Sequence, residues 1–508
     1  MELAYSKTVK LYDVLEIVCK GKTDGNPFID YNISASISGV DNKTVKGFYD
    51  GNGTYIVRYM PQKEGEYSFK IFGSFSDETA EGSFKVEGAD ERNHGMVSVA
   101  NQYHFAYADG TPYYSVGTTC YVWHLQGEEQ KKETLENLVR CGFNKIRFCI
   151  FPKHYAYNFA EPPCYPFKGT PVDSSGINME NFNDYNGCAK GNDWDFTRLN
   201  PEYFRNIEAC IVNLRNIGVE ADIILFHPYD RWGFSWLTRE QSKLYLEYVA
   251  ARFSAYSNVW WAFANEYDLL PDRTTDDWNF YAKVIMDNDP YNHLRSIHNC
   301  MDFFNHKAEW VTHCSIQRQD VYKTVEYTNE WREQYGKPVV LDEISYEGNM
   351  PYAWGNITAE EMVRRFWETV CRGGYAGHSE TYLYDTSDIW WSHGGKLYGE
   401  SCDRMKFLLK IMSETPGHGL KAGNGLWDEV MAVPEDAEAA CETGYRLYYY
   451  SFMRPAYREY QLDDNCEYDV EVIDTWNMTI TYAGRFSGKF RVELPSKQYI
   501  AVRMKKAM

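Results

Sequence analysis

Two glutamates each stand at the end of a strongly apolar run. Val259-Trp260-Trp261-Ala262-Phe263-Ala264 leads into Asn265-Glu266, and Pro338-Val339-Val340-Leu341-Asp342 leads into Glu343. A carboxylate where a buried segment emerges is expensive unless it has a partner or a task, because an unpaired buried charge costs several kcal/mol. A single such Glu is most simply a salt-bridge member; two on separate runs are harder to account for in that way. Two carboxyl groups held close together do not ionise equally, since their repulsion makes one keep its proton. The protonated one can donate to a leaving oxygen while the ionised one attacks carbon. That division of labour cleaves an acetal with retention of configuration, and it asks for a separation of about 5–5.5 Å.

The elements that would carry these residues alternate between strand and helix. Strand patterns fall at Tyr113–Thr119, Asn144–Phe151, Ala221–Phe226, Val259–Ala264, Leu294–His298, near Trp310–Ser315, at Pro338–Asp342 and at Tyr375–Tyr382. Helical patterns between and after them cover Gln130–Cys141, Pro201–Ile217, Arg239–Tyr256, Thr275–Asn288, Val321–Tyr335 and Ala359–Arg372, with a last helix at Asp403–Met412. Eight strands apolar enough to be buried on both faces, each followed by a crossover, predict a (β/α)8 TIM barrel, whose catalytic groups sit at the C-terminal ends of its strands. A doubly wound sheet is the alternative, but no G-x-G-x-x-G follows the first strand. The Pro, Gly, Asn and Tyr-rich segment Pro152 to Asn200 is a long insertion after the second strand, expected to roof the site. The flanks read as all-β, with short strand patterns punctuated by Gly and Asn turns. The expected division is therefore a sandwich over residues 1–88, the barrel over 89–415 and a second sandwich over 416–508.

With both motifs in order on strands four and seven, the segment resembles the clan A retaining glycoside hydrolases. Trp261-Ala262-Phe263-Ala264-Asn265-Glu266 is similar to their acid/base motif, and Lys337-Pro338-Val339-Val340-Leu341-Asp342-Glu343 to their nucleophile motif. Phe226-His227-Pro228-Tyr229-Asp230-Arg231-Trp232-Gly233-Phe234 and the flanking modules resemble a bacterial group with an apiosidase-like barrel. The resemblance implies retaining hydrolysis of an equatorial, β-type bond, with Glu266 as acid/base, Glu343 as nucleophile and Asn265 on the sugar 2-hydroxyl. One departure counts against apiose as the sugar: strand one reads Gly117-Thr118-Thr119-Cys120-Tyr121 rather than Gly-Asp-Thr-Ala-Trp, so a carboxylate is missing. Strand eight also lacks the Trp of that clan, leaving Trp390 or Trp391 in the following loop to serve as a platform.

Further residues have the right position to bind a sugar. Arg147 on strand two suits holding Glu343 ionised, and Trp123 just past strand one suits stacking on a ring. His227 and Asp230 follow strand three, His298 ends strand five, and His378 and Glu380 lie on strand eight; each suits a hydroxyl, and each equally suits an internal polar contact. A metal hydrolase using His227, Asp230, His298 and His313 is one rival, but no His-x-His ends strand one and no H-E-x-x-H occurs. A non-catalytic carbohydrate-binding protein is another, for which two strand-end glutamates have no use. The expectation is a site needing neither metal nor organic cofactor.

Composition bounds the partners. The 508 residues carry a net charge of −20, and their 52 basic residues are scattered, which argues against nucleic acid or an anionic membrane as a partner. No apolar run approaches a membrane span of roughly 18–20 residues. Aromatic residues make up 17% of the chain, a supply of flat faces for strands and for sugar rings. Thirteen Cys without paired C-x-x-C spacing, and a start without the pattern of a signal peptide, predict a cytoplasmic enzyme working on short oligosaccharides or glycosides. The long insertion and flanking modules, expected to close one side of the mouth, predict attack at chain ends.

Overall fold

The computed structural model describes residues 2–318 and 320–507. The chain divides into two compact units: Met1–Val97 with Tyr121–Gly127 and Arg147–Ile297, and Ser98–Cys120 with Glu128–Ile146 and His298–Met508. One parallel sheet recruits strands from both stretches of sequence. Its members are β1 (Val116–Thr119), β2 (Lys145–Cys149), β3 (Glu220–Phe226), β4 (Val259–Ala264), β5 (Arg295–Ser296), β6 (Cys314–Gln317), β7 (Val339–Glu343) and β8 (Tyr375–His378). Their hydrogen-bonded order is β5-β4-β3-β2-β1-β8-β7-β6. The pairs β3·β4, β4·β5, β1·β8, β6·β7 and β7·β8 are parallel. A lone parallel bridge between His298, just past β5, and Ser315 on β6 all but closes the ring. The result is a nearly closed TIM-like barrel, as the strand count predicts.

The local chemistry explains the element ends. Every residue of β3 and β4 is buried, as strands covered on both faces require. The longer helices are α1 (Glu128–Cys141), α2 (Pro201–Asn216), α3 (Arg239–Phe253), α4 (Thr275–Asn288), α5 (Thr328–Tyr335), α6 (Ala359–Cys371) and α7 (Cys402–Ser413). Capping boxes at Thr238/Gln241 and Thr274/Asp277 start α3 and α4, and Asn200 with Pro201 starts α2. Helix α5 is shorter than the predicted Val321–Tyr335. The Asp320 carboxylate accepts the N–H groups of Tyr322 and Lys323, and the Thr324 hydroxyl donates to the Asp320 carbonyl, so a side-chain turn replaces the first helical turns.

In the first unit an eight-stranded sheet precedes the barrel strands. Its strand Gly65–Phe72 alternates strictly, turning Tyr67, Phe69 and Ile71 inward, and Tyr67 stacks on Phe84 at 5.2 Å. The insertion after β2 is not a plain loop: Phe167–Thr170 pairs antiparallel with Asp193–Leu199. In the second unit, a six-stranded sheet runs from Leu420–Ala422 to Ile500–Lys506, around a core that includes Tyr450, Val470, Val502 and Met504. No helix among the described residues is long and apolar enough to cross a membrane. Among the described residues the thirteen cysteines form no disulfide.

Candidate active site

Glu266 follows the last residues of β4 in the left-handed region, at φ +49°, where a non-glycine side chain is strained. The carboxylate is buried, 7% exposed. Tyr229, from the loop after β3, donates its hydroxyl to Glu266 Oε2, and Asn265 Nδ2 lies 3.4 Å from the same oxygen. Asn265 is itself held by the Tyr121 hydroxyl, which donates to its Oδ1 at 3.2 Å, and Arg147 Nη1 stands 3.5 Å from that hydroxyl. Lys153 lies over the Tyr121 ring at 3.4 Å and the Tyr229 ring at 4.3 Å, a cation on the faces of both supporting phenols. Sequence reading singled out Asn265 and Glu266 here, and Arg147 for Glu343 rather than for Tyr121. It missed Tyr121, Tyr229 and Lys153, although Tyr229 lies inside the segment that carried the family resemblance.

Glu343 closes β7 with its side chain 12% exposed. His298 Nε2 lies 3.6 Å from Glu343 Oε1, and His298 Nδ1 lies 3.0 Å from the Ser315 hydroxyl. Ser315 donates to Asp342 Oδ2, and Asp342 Oδ1 pairs with Lys145 Nζ at 2.6 Å. The pair is almost fully buried, at 1% and 2% exposure. Gly117 on β1 makes room for it, since a Cβ there would meet Lys145 Cε at 3.0 Å.

The other predicted site residues fall into supporting bonds. Asp230 accepts the N–H groups of Trp232, Gly233 and Ser235, folding the loop after β3; burial raises its carboxyl above the usual range against those donors. The His227 carbonyl accepts the Ser235 hydroxyl, and burial pushes its ring down to about 3, keeping it neutral. His378 Nε2 lies 3.0 Å from the Ser401 hydroxyl and is likewise held neutral by burial, at about 3. Glu380 accepts from the N–H groups of Tyr398 and Gly399; burial first, and then Glu347, raises its carboxyl well above the usual range. Trp123 is fully buried, edge-on to Phe148. Trp390 and Trp391 are both buried, Trp390 with its indole N–H on Thr118 and Trp391 packed at 5.1 Å against the half-buried Trp354, which stacks on Tyr352. Trp354 is an aromatic neighbour of Trp391 that sequence reading did not find.

Among the described residues two groups have ligand atoms spaced for a cation, Cys141/Cys402/Asp403 and Glu347/His378/Glu380. Neither includes His227, Asp230, His298 or His313. In the second group Glu347 spends its oxygens on the Tyr382 hydroxyl and on the N–H groups of Glu400 and Ser401. That arrangement pins the 398–401 turn to the end of the barrel.

Comparison with known proteins now bears on the chain. Residues 99–438 match the family described as "Apiosidase-like, catalytic domain", while residues 8–73 and 427–505 match two domains of unknown function, DUF5060 and DUF5605. A candidate glycoside hydrolase from Bacteroides vulgatus ATCC 8482 is 35% identical, with a TM-score of 0.89, covering 99% of this chain and 100% of its own. A glycoside hydrolase family 5 structure from the same organism is 16% identical, with a TM-score of 0.58, over 81% of this chain and 94% of its own; that likeness is one of fold. No curated protein matches in sequence. Barrel and relatives together define a glycoside-hydrolase-like protein. Within that class, the chain belongs to the apiosidase-like catalytic-domain family.

Proposed function

We propose that the protein is a retaining glycoside hydrolase that cleaves a β-type, equatorial glycosidic bond by double displacement. The observation that carries the reading is the placement of Glu266 directly after β4 and Glu343 at the end of β7, in a barrel of this family. Glu343 attacks the anomeric carbon while Glu266 gives its proton to the departing oxygen, leaving a glycosyl ester on Glu343. Glu266, now ionised, takes a proton from water, and that water displaces Glu343 and restores both carboxyl groups. Asn265, fixed by Tyr121, is oriented to hold a sugar hydroxyl. The Trp391–Trp354 pair supplies an aromatic wall. In this reading residues 1–88 and 416–508 are β-sandwich accessory modules flanking a catalytic part at 89–415. The folded insertion after β2 favours attack at chain ends, and thirteen cysteines without a disulfide suit a reducing, intracellular compartment.

Azide rescue of two variants tests the roles. Glu343→Ala removes the covalent intermediate and should lose several orders of magnitude in rate on every substrate; azide then attacks an activated aryl β-glycoside directly and gives an inverted glycosyl azide. Glu266→Ala should retain glycosylation by substrates with good leaving groups and lose it with poor ones, and azide should yield a product of retained configuration. Opposite stereochemistry in the two variants swaps the roles, and undiminished activity in both removes the glycosidase reading.

A further inference from the structure

Behind Glu343 runs a buried line of polar side chains drawn from four barrel elements: Lys145 at the start of β2, Asp342 on β7, Ser315 on β6 and His298 beyond β5. The direction of each hydrogen bond along it can be settled by counting protons. Lys145 is donor only, and its contact with Asp342 Oδ1 leaves that carboxylate an acceptor. Ser315 has one hydroxyl hydrogen, and it goes to Asp342 Oδ2. Facing the His298 ring, the Ser315 oxygen therefore offers only lone pairs. The 3.0 Å contact must be made by a proton on His298 Nδ1. That leaves Nε2 as the atom aimed at Glu343, 3.6 Å from Oε1. A bare Nε2 would set one lone pair against another. For His298 to bind the Glu343 carboxylate, Nε2 must carry a proton too, giving an imidazolium between Glu343 on one side and the Asp342–Lys145 pair on the other.

We propose that His298 is a positioning residue for Glu343, and that the Lys145–Asp342–Ser315 chain acts by fixing the proton on its Nδ1. The proposal rests on the reading of Glu343 as nucleophile, and it assigns His298 to the enzyme's carboxylate rather than to a sugar hydroxyl. It also gives a task to the ion pair buried beneath the site. An internal Lys–Asp pair gains little stability of its own after desolvation, yet it supplies a fixed charge that orients the next hydrogen bond. The same side chains tie His298 to β6 and β7 at the point where an isolated backbone bridge joins His298 to Ser315.

The test combines a ring spectrum with kinetics. In uniformly 15N-labelled full-length protein, with His298→Gln used to assign the signal, His298 Nδ1 should show the shift of a protonated nitrogen. Ser315→Ala should move that proton, giving a ring with Nδ1 at least partly bare. On an aryl β-glycoside, kcat for Ser315→Ala should fall roughly tenfold with KM little changed, the loss expected for one hydrogen bond to a charged group. Ser315→Thr, which keeps the hydroxyl, should restore most of it. A bare Nδ1 in the unaltered protein overturns the proposal, as does a Ser315→Ala variant with unchanged spectrum and kcat. If no aryl glycoside is turned over by the unaltered protein, the hydrolase reading has failed instead, and the ring spectrum alone decides the wiring of His298.

Discussion

At the scale of single residues, the two glutamates are held by different chemistry. Glu266 is gripped from the loop after β3 by a phenol and from its neighbour by an amide, whereas Glu343 faces an imidazole backed by an ion pair. Tyr229 donates its hydroxyl to Glu266, which stabilises the ionised carboxylate over the protonated one. Tyr229→Phe removes that bias without emptying the space the ring fills against Tyr155, 5.0 Å away between centroids. The limb of the pH–rate profile that reports loss of the Glu266 proton should then move to higher pH. The rate with poor leaving groups at neutral pH should change by no more than roughly tenfold, as for one hydrogen bond to a charged group. A profile superimposable on that of the unaltered protein would show that Tyr229 has no part in the proton transfer.

Among the elements, β3 separates structure from function along its length. Its first residue, Glu220, is fully buried at the end away from the candidate site, accepts the Trp260 indole N–H at 2.9 Å, and is pushed up by burial to about 8. Relative to an ordinary value of 4.5, the folded protein holds this proton where the unfolded chain has lost it. The contribution of Glu220 to stability is therefore most favourable below about 4.5 and is lost as pH rises towards about 8, the folded state binding one more proton across that window. Glu220→Gln should remove this fall: its urea midpoint should match the parent near pH 5 and exceed it at pH 8.5. Such a group illustrates what the sequence made legible. Runs such as Val259–Ala264 and Val339–Leu341 announce strands buried on both faces, and a carboxylate at their mouths stands out against the apolar background. The starts of α2, α3, α4 and α6 were equally plain, since their caps act on near neighbours, whereas that of α5 was hidden by the side-chain turn at Asp320. What was not legible came from pairing at a distance. Ser315 and Lys145 are unremarkable until the barrel sets them beside Asp342, and the hairpin pairs Phe167–Thr170 with Asp193–Leu199 across a Gly- and Asn-rich stretch, 171–192, whose pattern is that of a loop.

On the scale of the whole molecule, the first unit fastens its N-terminal sheet to the barrel helices through charge as well as apolar packing. Arg58 from that sheet pairs with Glu16 at 2.7 Å and with Glu208 of α2, while Arg252 of α3 pairs with Glu208 and with Asp50, each at 2.7 Å. Both guanidiniums are almost wholly buried, and both lie over the Phe48 ring, at 4.9 and 4.7 Å. Glu208 is the one carboxylate shared between them. Removing it leaves two buried cations with half their neutralisation, a situation that costs about 3–5 kcal/mol when a buried pair is broken from one side. Glu208→Ala should lower the stability of the first unit by about that amount, read as an early transition in urea unfolding followed by tryptophan fluorescence. Glu208→Gln, which keeps the volume and one acceptor, should fall between. Because the pairs are shielded from solvent, raising salt from 0.05 to 0.5 M should close only a small part of the gap. A Glu208→Ala protein as stable as its parent would mean that the sheet is held by its other contacts, among them Phe48 on Tyr248 and the packing of Ala255 and Tyr291. The charges would then set only the register in which those surfaces meet.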